Sequence, residues 1–219
     1  VYDYFPMSQT LLLRRETPVL GGYNREDYRA YRDWAPAADG TLIPISVIHR
    51  ADLDMSKPHP VIQYGYGSYE SSMDPMFSIP MLSILDRGVI YVIAHIRGGG
   101  EMGRSWYQNG KKLAKKNTFT DFVDVTSYIA AKPWADEARI GCYGGSAGGL
   151  LMGAVVNLAP EKYAACLAAV PFVDALTTIL DPELPLSALE WEEWGNPIED
   201  PEVYAYMKSY TPYENIRPV

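Results

Sequence analysis

The stretch Ile140-Gly141-Cys142-Tyr143-Gly144-Gly145-Ser146-Ala147-Gly148-Gly149 constrains this chain more than any other. Its centre, Gly144-x-Ser146-x-Gly148, has the spacing of a nucleophile elbow, a sharp turn between a buried strand and a helix. The flanks agree: Arg139 to Tyr143 is an apolar run of strand length, and Leu150 to Leu158 continues as an apolar helical stretch. A serine in such a turn carries strained backbone angles, and neighbours without a Cβ let strand and helix approach closely. A glycine-rich turn with a solvated serine is the plainer alternative, but it requires neither the strand before nor the helix after. Read as an elbow, the segment projects Ser146 from the C-terminal edge of a sheet as a candidate nucleophile. The amide N–H of Ala147, at the helix start, then points to where an oxyanion forms.

The rest of the chain supplies a sheet for that turn. Residues 1–24 read as a strand over Gln9 to Arg15 and a connection through Pro18, Gly21 and Gly22, too little for a core of their own. Tyr28 to Trp34 and Leu42 to Arg50 read as a hairpin around Ala38-Asp39-Gly40. Pro60 to Tyr64 is the next strand, and residues 77–87 form a helix with Met81, Leu82 and Leu85 on one face. Val89 to Ile96 is almost purely apolar, as a central parallel strand requires. Thr118-Phe119-Thr120-Asp121 has capping-box spacing and is expected to open a helix to about Ala131, ended by Pro133. Ala164 to Val170 reads as one more buried strand, followed by a lid-like stretch over 175–200 and a helix from Pro201 to Lys208. Strands alternating with helices mean an α/β fold, a doubly wound and mostly parallel sheet entered through an N-terminal antiparallel hairpin.

Composition narrows the function. With 27 acidic and 19 basic residues the net charge is −8, which speaks against nucleic acid or an acidic membrane surface as a general partner. The run Lys111, Lys112, Lys115, Lys116 is expected to be a solvated surface loop. Cys142 and Cys166 lie in apolar runs and read as small core residues without a disulfide framework. No run reaches the roughly 20 apolar residues of a membrane span. The opening Val1-Tyr2-Asp3-Tyr4 is no signal peptide, so a cytoplasmic setting is expected, and the missing initial Met suggests a fragment. Neither a cofactor nor a metal is expected.

A serine hydroxyl needs a base within hydrogen-bond reach, itself oriented by an acid. The hydrolase order places both after the serine. Here His49, His59 and His95 all precede Ser146 and read as structural residues, although His95 ends a central strand. The expectation is a chain that stops before its acid and base.

Four runs carry a resemblance: Tyr64-Gly65-Tyr66-Gly67-Ser68-Tyr69; Arg97-Gly98-Gly99-Gly100-Glu101-Met102-Gly103; Lys116-Asn117-Thr118-Phe119-x-Asp121; and Gly144 to Gly149. Together they resemble the prolyl oligopeptidase family. Pro171-Phe172-Val173-Asp174, Glu190 to Pro197 and Tyr206 to Tyr213 resemble its oligopeptidase B branch. The resemblance implies an α/β-hydrolase domain over 25–219, truncated before its last strands. It makes residues 1–24 the end of a β-propeller and its linker. It implies that Ser146 is the nucleophile and that the Tyr66 hydroxyl shares the oxyanion hole with the Ala147 amide. Glu190 and Glu192 are implied to bind a basic P1 side chain, and Asp74 to serve the neighbouring basic subsite, with Met76 where a second acid is expected. The implied substrates are short basic peptides, cut after Arg or Lys. The propeller and the C-terminal segment with the triad Asp and His would be the missing partners of this chain.

On the residues alone, Glu190, Glu192 and Glu193 between Trp191 and Trp194 read first as a solvated acidic helix end with the tryptophans packed inward. The same set can clamp a guanidinium between aromatic walls. An esterase shares the elbow but wants an apolar acyl pocket, against which the glutamates speak. An inactive fragment or binding module is the third reading, since no base follows Ser146; the fragment by itself is expected to be inactive.

Overall fold

The computed structural model describes residues 1–74 and 76–218. β1 (Tyr2–Phe5) and β2 (Thr10–Leu13) pair antiparallel with Tyr2 opposite Leu13, and every residue of both is exposed. The strand expected over Gln9 to Arg15 is therefore shorter, and its partner β1 is not foreseen by the sequence reading. The hairpin around Ala38-Asp39-Gly40 forms as expected from β3 (Tyr28–Pro36) and β4 (Leu42–Arg50). The Asp39 carboxylate accepts the Thr41 N–H, and Gly40 takes φ 85°, which closes the turn.

β5 (His59–Tyr64), β6 (Ile90–Ala94), β7 (Ala135–Gly145) and β8 (Ala165–Ala169) complete a six-stranded sheet of order β3-β4-β6-β5-β7-β8. The β3, β4 and β6 pairings are antiparallel, and β6, β5, β7 and β8 run parallel. Strand residues alternate faces, and β6 uses both. Ile90, Val92 and Ala94 join the main core, whereas Tyr91 and Ile93 pack with Leu85 of α1 (Ile79–Leu85) on the other side.

The first core is closed by α3 (Lys116–Ala130) and α4 (Ala147–Leu158), which pack on each other and on β7; the short α2 (Arg104–Gln108) precedes them. Phe119, Phe122, Val125 and Ile129 recur at helical spacing and are fully or almost fully buried. Burial of each such side chain contributes about 1.5–3 kcal/mol. Past the sheet, the stretch read as lid-like folds into α5 (Ala175–Ile179) and α6 (Ser187–Trp194), and α7 (Pro201–Lys208) follows where expected. Among the described residues no helix is long and apolar enough to cross a membrane.

Three expectations need correction. β8 is not buried: as the edge strand it has β7 as its partner on one side only, and Cys166 and Leu167 are exposed while Cys142, its register partner, is buried. An apolar run by itself does not tell a central strand from an edge. Thr118 and Asp121 do not form a capping box, because α3 starts at Lys116 and both side chains reach other segments. Thr118 Oγ1 donates to the Arg97 carbonyl (2.8 Å), and the buried Asp121 carboxylate receives Nε of Arg97 (2.8 Å). The lysine run, finally, is not a solvated loop: Lys111 lies over the Tyr107 ring and Lys115 is buried.

Candidate active site

At the end of β7 the chain turns on Ser146, which sits at φ 58° and ψ −117°, a left-handed strain typical of a site held by its surroundings. Its N–H donates to the Ala169 carbonyl (3.0 Å), and its own carbonyl accepts from Gly149 (2.8 Å) and Phe172 (3.2 Å). A Cβ at Gly144 would lie 2.3 Å from the Gly148 carbonyl oxygen, and one at Gly148 would lie 2.8 Å from that of Gly65. Strand end, helix start and the β5 loop therefore meet only without side chains. Ser146 is exposed, and the Ala147 N–H, in the first turn of α4, has no acceptor within the helix.

The topology brings Tyr66 to the same place. The chain leaves β6 and crosses β5 to form β7, so the loops leaving the C-terminal ends of β5 and β7 are neighbours, with Tyr64 opposite Tyr143. Tyr66 follows two residues later and packs on the start of α4, its Cδ2 3.4 Å from where a Gly148 Cβ would stand. Burial pushes the Tyr66 phenol up, and the nearby Glu193 and Glu190 carboxylates push the same way. A side-chain hydrogen-bonding contact with Ser146 draws it partly back. The hydroxyl thus stays protonated at neutral pH, a donor beside the nucleophile.

Ser146 and Ala147 open into a cavity of about 330 Å³ lined also by Tyr69, Phe172, Ile179 and Glu190. Glu190 Oε2 accepts from the Tyr69 hydroxyl (2.6 Å) and from Trp194 Nε1 (2.8 Å). Both bonds fall on one oxygen, which leaves Oε1 for a ligand. Glu192 is not brought to this cavity. Two residues on, it points from another face of α6, is 88% exposed and meets Lys112 Nζ at 3.4 Å. Asp74 lines a separate cavity of about 340 Å³ with Arg32, His95 and Glu101, and Met76 belongs to a third beside Phe77 and Met81.

The histidines are engaged elsewhere. His49 Nδ1 meets the Arg50 carbonyl, and His59 Nε2 that of Asp54. The buried His95 bonds Ser46 Oγ through Nε2 (2.9 Å). None of them lines the cavity at Ser146.

Two residues at the site, Tyr69 and Lys115, escape the sequence reading as site residues, and Glu193 enters it only as a member of the acidic cluster. The signal for Glu193 is its spacing, since it lies three positions after Glu190, which puts both on the side of α6 that faces the Tyr66 loop. Lys115 carries no comparable signal inside a run of lysines.

Residues 75–219 match the profile of the prolyl oligopeptidase family. This chain belongs to that family. Among its members, the dipeptidyl aminopeptidase BI of Pseudoxanthomonas mexicana is 54% identical over 93% of this chain and 28% of its own length. The protease 2 of Moraxella lacunata is 45% identical over 91% of this chain and 29% of its own. The solved oligopeptidase B of Leishmania major superposes with TM-score 0.93 at 49% identity, covering 99% of this chain and 30% of that one. Oligopeptidase B of Trypanosoma brucei, solved with covalently bound antipain, gives 0.95 at 45% identity and the same coverage. The α/β-hydrolase fold is therefore shared with the family's oligopeptidase B members, and the chain spans under a third of the relatives it matches.

Proposed function

We propose that this chain is the nucleophile-bearing part of a serine peptidase that cleaves short peptides after Arg or Lys. The observation that carries the reading is the strained Ser146 at the start of α4, with the Ala147 amide next to it and Tyr66 packed on the same helix start. Ser146 Oγ attacks the scissile carbonyl carbon and passes its proton to a histidine base, which an aspartate orients. The oxyanion then receives the Ala147 N–H and the Tyr66 hydroxyl. The C–N bond breaks as the base returns the proton to the amine, and water hydrolyses the remaining ester on Ser146. Histidine and aspartate are assigned to sequence beyond residues 1–219, as are the propeller contacts that residues 1–24 would join. Glu190 supplies the negative charge for the P1 side chain, and Asp74 is kept as a contributor to an adjoining basic subsite.

The test uses the complete protein and a fluorophosphonate, whose fluoride a reactive serine displaces. A mass increase confined to the peptide containing Ser146, together with turnover of an arginyl amide that Ser146→Ala abolishes, is the expected result. Labelling elsewhere, or a Ser146→Ala variant that still turns over, overturns the reading. Faster turnover of short-chain esters than of arginyl amides would favour an esterase.

A further inference from the structure

Lys115 and Glu193 take no part in the chemistry above, yet both hold the loop that carries Tyr66. They are 1% and 3% exposed, with Nζ 3.9 Å from Glu193 Oε1. Lys115 Nζ donates to the Gly67 carbonyl (2.6 Å) and to Ser68 Oγ (2.7 Å), and stands 5.0 Å from the centre of a Trp194 ring. Glu193 Oε1 accepts the Tyr69 N–H (3.0 Å), and Oε2 accepts the Tyr107 hydroxyl (2.7 Å). The turn they grip is strained at Tyr69 (φ 58°) and Glu70 (φ 57°), two non-glycine residues in the left-handed region, after Gly67 at φ 74°. Backbone of this kind persists only where its surroundings over-determine it. A buried ion pair is a poor way to gain stability, because apolar residues of the same volume do as well. What the pair does visibly here is fix the turn.

We infer that Lys115 and Glu193 are positioning residues that lock the Gly67–Glu70 turn against α6, so that Tyr66 stands at Ser146 and Tyr69 stays on Glu190. The inference rests on the oxyanion reading of Tyr66. Nζ holds the turn from below through Gly67 and Ser68, while Glu193 holds its far end through the Tyr69 amide. Glu190 sits one helical turn before Glu193, so one grip sets both the oxyanion donor and the P1 carboxylate.

Lys115→Met and Glu193→Gln are made in the complete peptidase, each alone and combined with Tyr66→Phe, and assayed on a substrate with a neutral P1. Each single variant is expected to lower kcat at least about tenfold with KM changed less than about twofold. Adding Tyr66→Phe should then cost less than about threefold more, because a misplaced phenol has already lost its bond. Thermal unfolding of the same samples separates this from simple destabilisation, which lowers Tm but leaves kcat per folded molecule unchanged. Should Lys115→Met not fold, Glu193→Gln carries the test by itself. Parental kcat in the pair variants, or losses that multiply with that of Tyr66→Phe, overturn the inference alone. A Tyr66→Phe enzyme with parental kcat overturns the oxyanion reading and the inference with it.

Discussion

Tyr66 shows what one side chain can do once a fold delivers it. Its hydroxyl is held beside Ser146 as a donor, kept protonated first by burial and then by the carboxylates of Glu193 and Glu190. In the complete enzyme, Tyr66→Phe should lower kcat roughly a hundredfold, about 3 kcal/mol, with KM nearly unchanged, because the bond forms only with the developing oxyanion. Steady-state kinetics on an arginyl amide checks this, and an unchanged kcat returns Tyr66 to a packing role. The glycines of the elbow act at the same scale, through contact distances. At Gly148 an added methyl meets the Gly65 carbonyl oxygen at 2.8 Å, with the Tyr66 ring at 3.4 Å. Gly148→Ala should therefore push the oxyanion loop away and cost activity together with stability. Equal Tm and turnover in the variant would show that the loop yields freely.

Among the elements, α6 distributes its acids by helical geometry. Residues three apart share a face and residues two apart do not. Glu190 and Glu193 thus turn toward the Tyr69 loop, and Glu192 turns to Lys112 and solvent. An exposed pair such as Lys112–Glu192 is worth about 0–1 kcal/mol. Losing one partner of a desolvated charge pair costs about 2–5 kcal/mol. Glu190→Gln should accordingly lower kcat/KM for an arginyl substrate at least tenfold, and Glu192→Gln less than about threefold. The ratio of arginyl to neutral turnover is the quantity to measure. Equal losses from the two variants would restore the paired role that the family resemblance implies. Arg should outperform Lys at P1 with Glu190 intact, since a guanidinium offers a forked donor to the carboxylate.

For the molecule as a whole, the buried Lys115 ties stability to pH. Burial pushes its amine from the ordinary 10.5 down to about 7, against the pull of Glu193. In the unfolded chain the proton stays on up to about 10.5. Between these values the unfolded state binds more protons, so the stability contributed here rises with pH from about 7 towards 10.5. Below 7 both states are charged and the burial penalty is complete. Among the described residues the charged partner that shapes this shift is Glu193; the other groups on Nζ are the Gly67 carbonyl, Ser68 Oγ and the Trp194 ring. Urea midpoints at pH 7 and pH 9 should therefore rise more in the parent than in Lys115→Met. Identical increments would remove Lys115 as the source.

By itself the sequence determined the elbow, the chain order of the six strands of the main sheet with the helices α1, α3, α4 and α7, and the hairpin before them. These rest on local rules: glycine spacing around Ser146, apolar runs of strand length, and turn residues such as Asp39-Gly40. Local pattern places the Ala147 amide beside Ser146 and the family resemblance implies Tyr66, but the tertiary structure decided how residues distant in the chain reach that place. The crossing from β6 over β5 to β7 made neighbours of Tyr66 and Ser146, which lie far apart in the chain. It also made β8 an edge, sent Thr118 and Asp121 to Arg97 rather than to a helix cap, and buried one lysine of a run that reads as solvated. In each case the residue's partner lies on another element. A local pattern fixes the element a residue belongs to, while the packing of elements fixes what that residue touches.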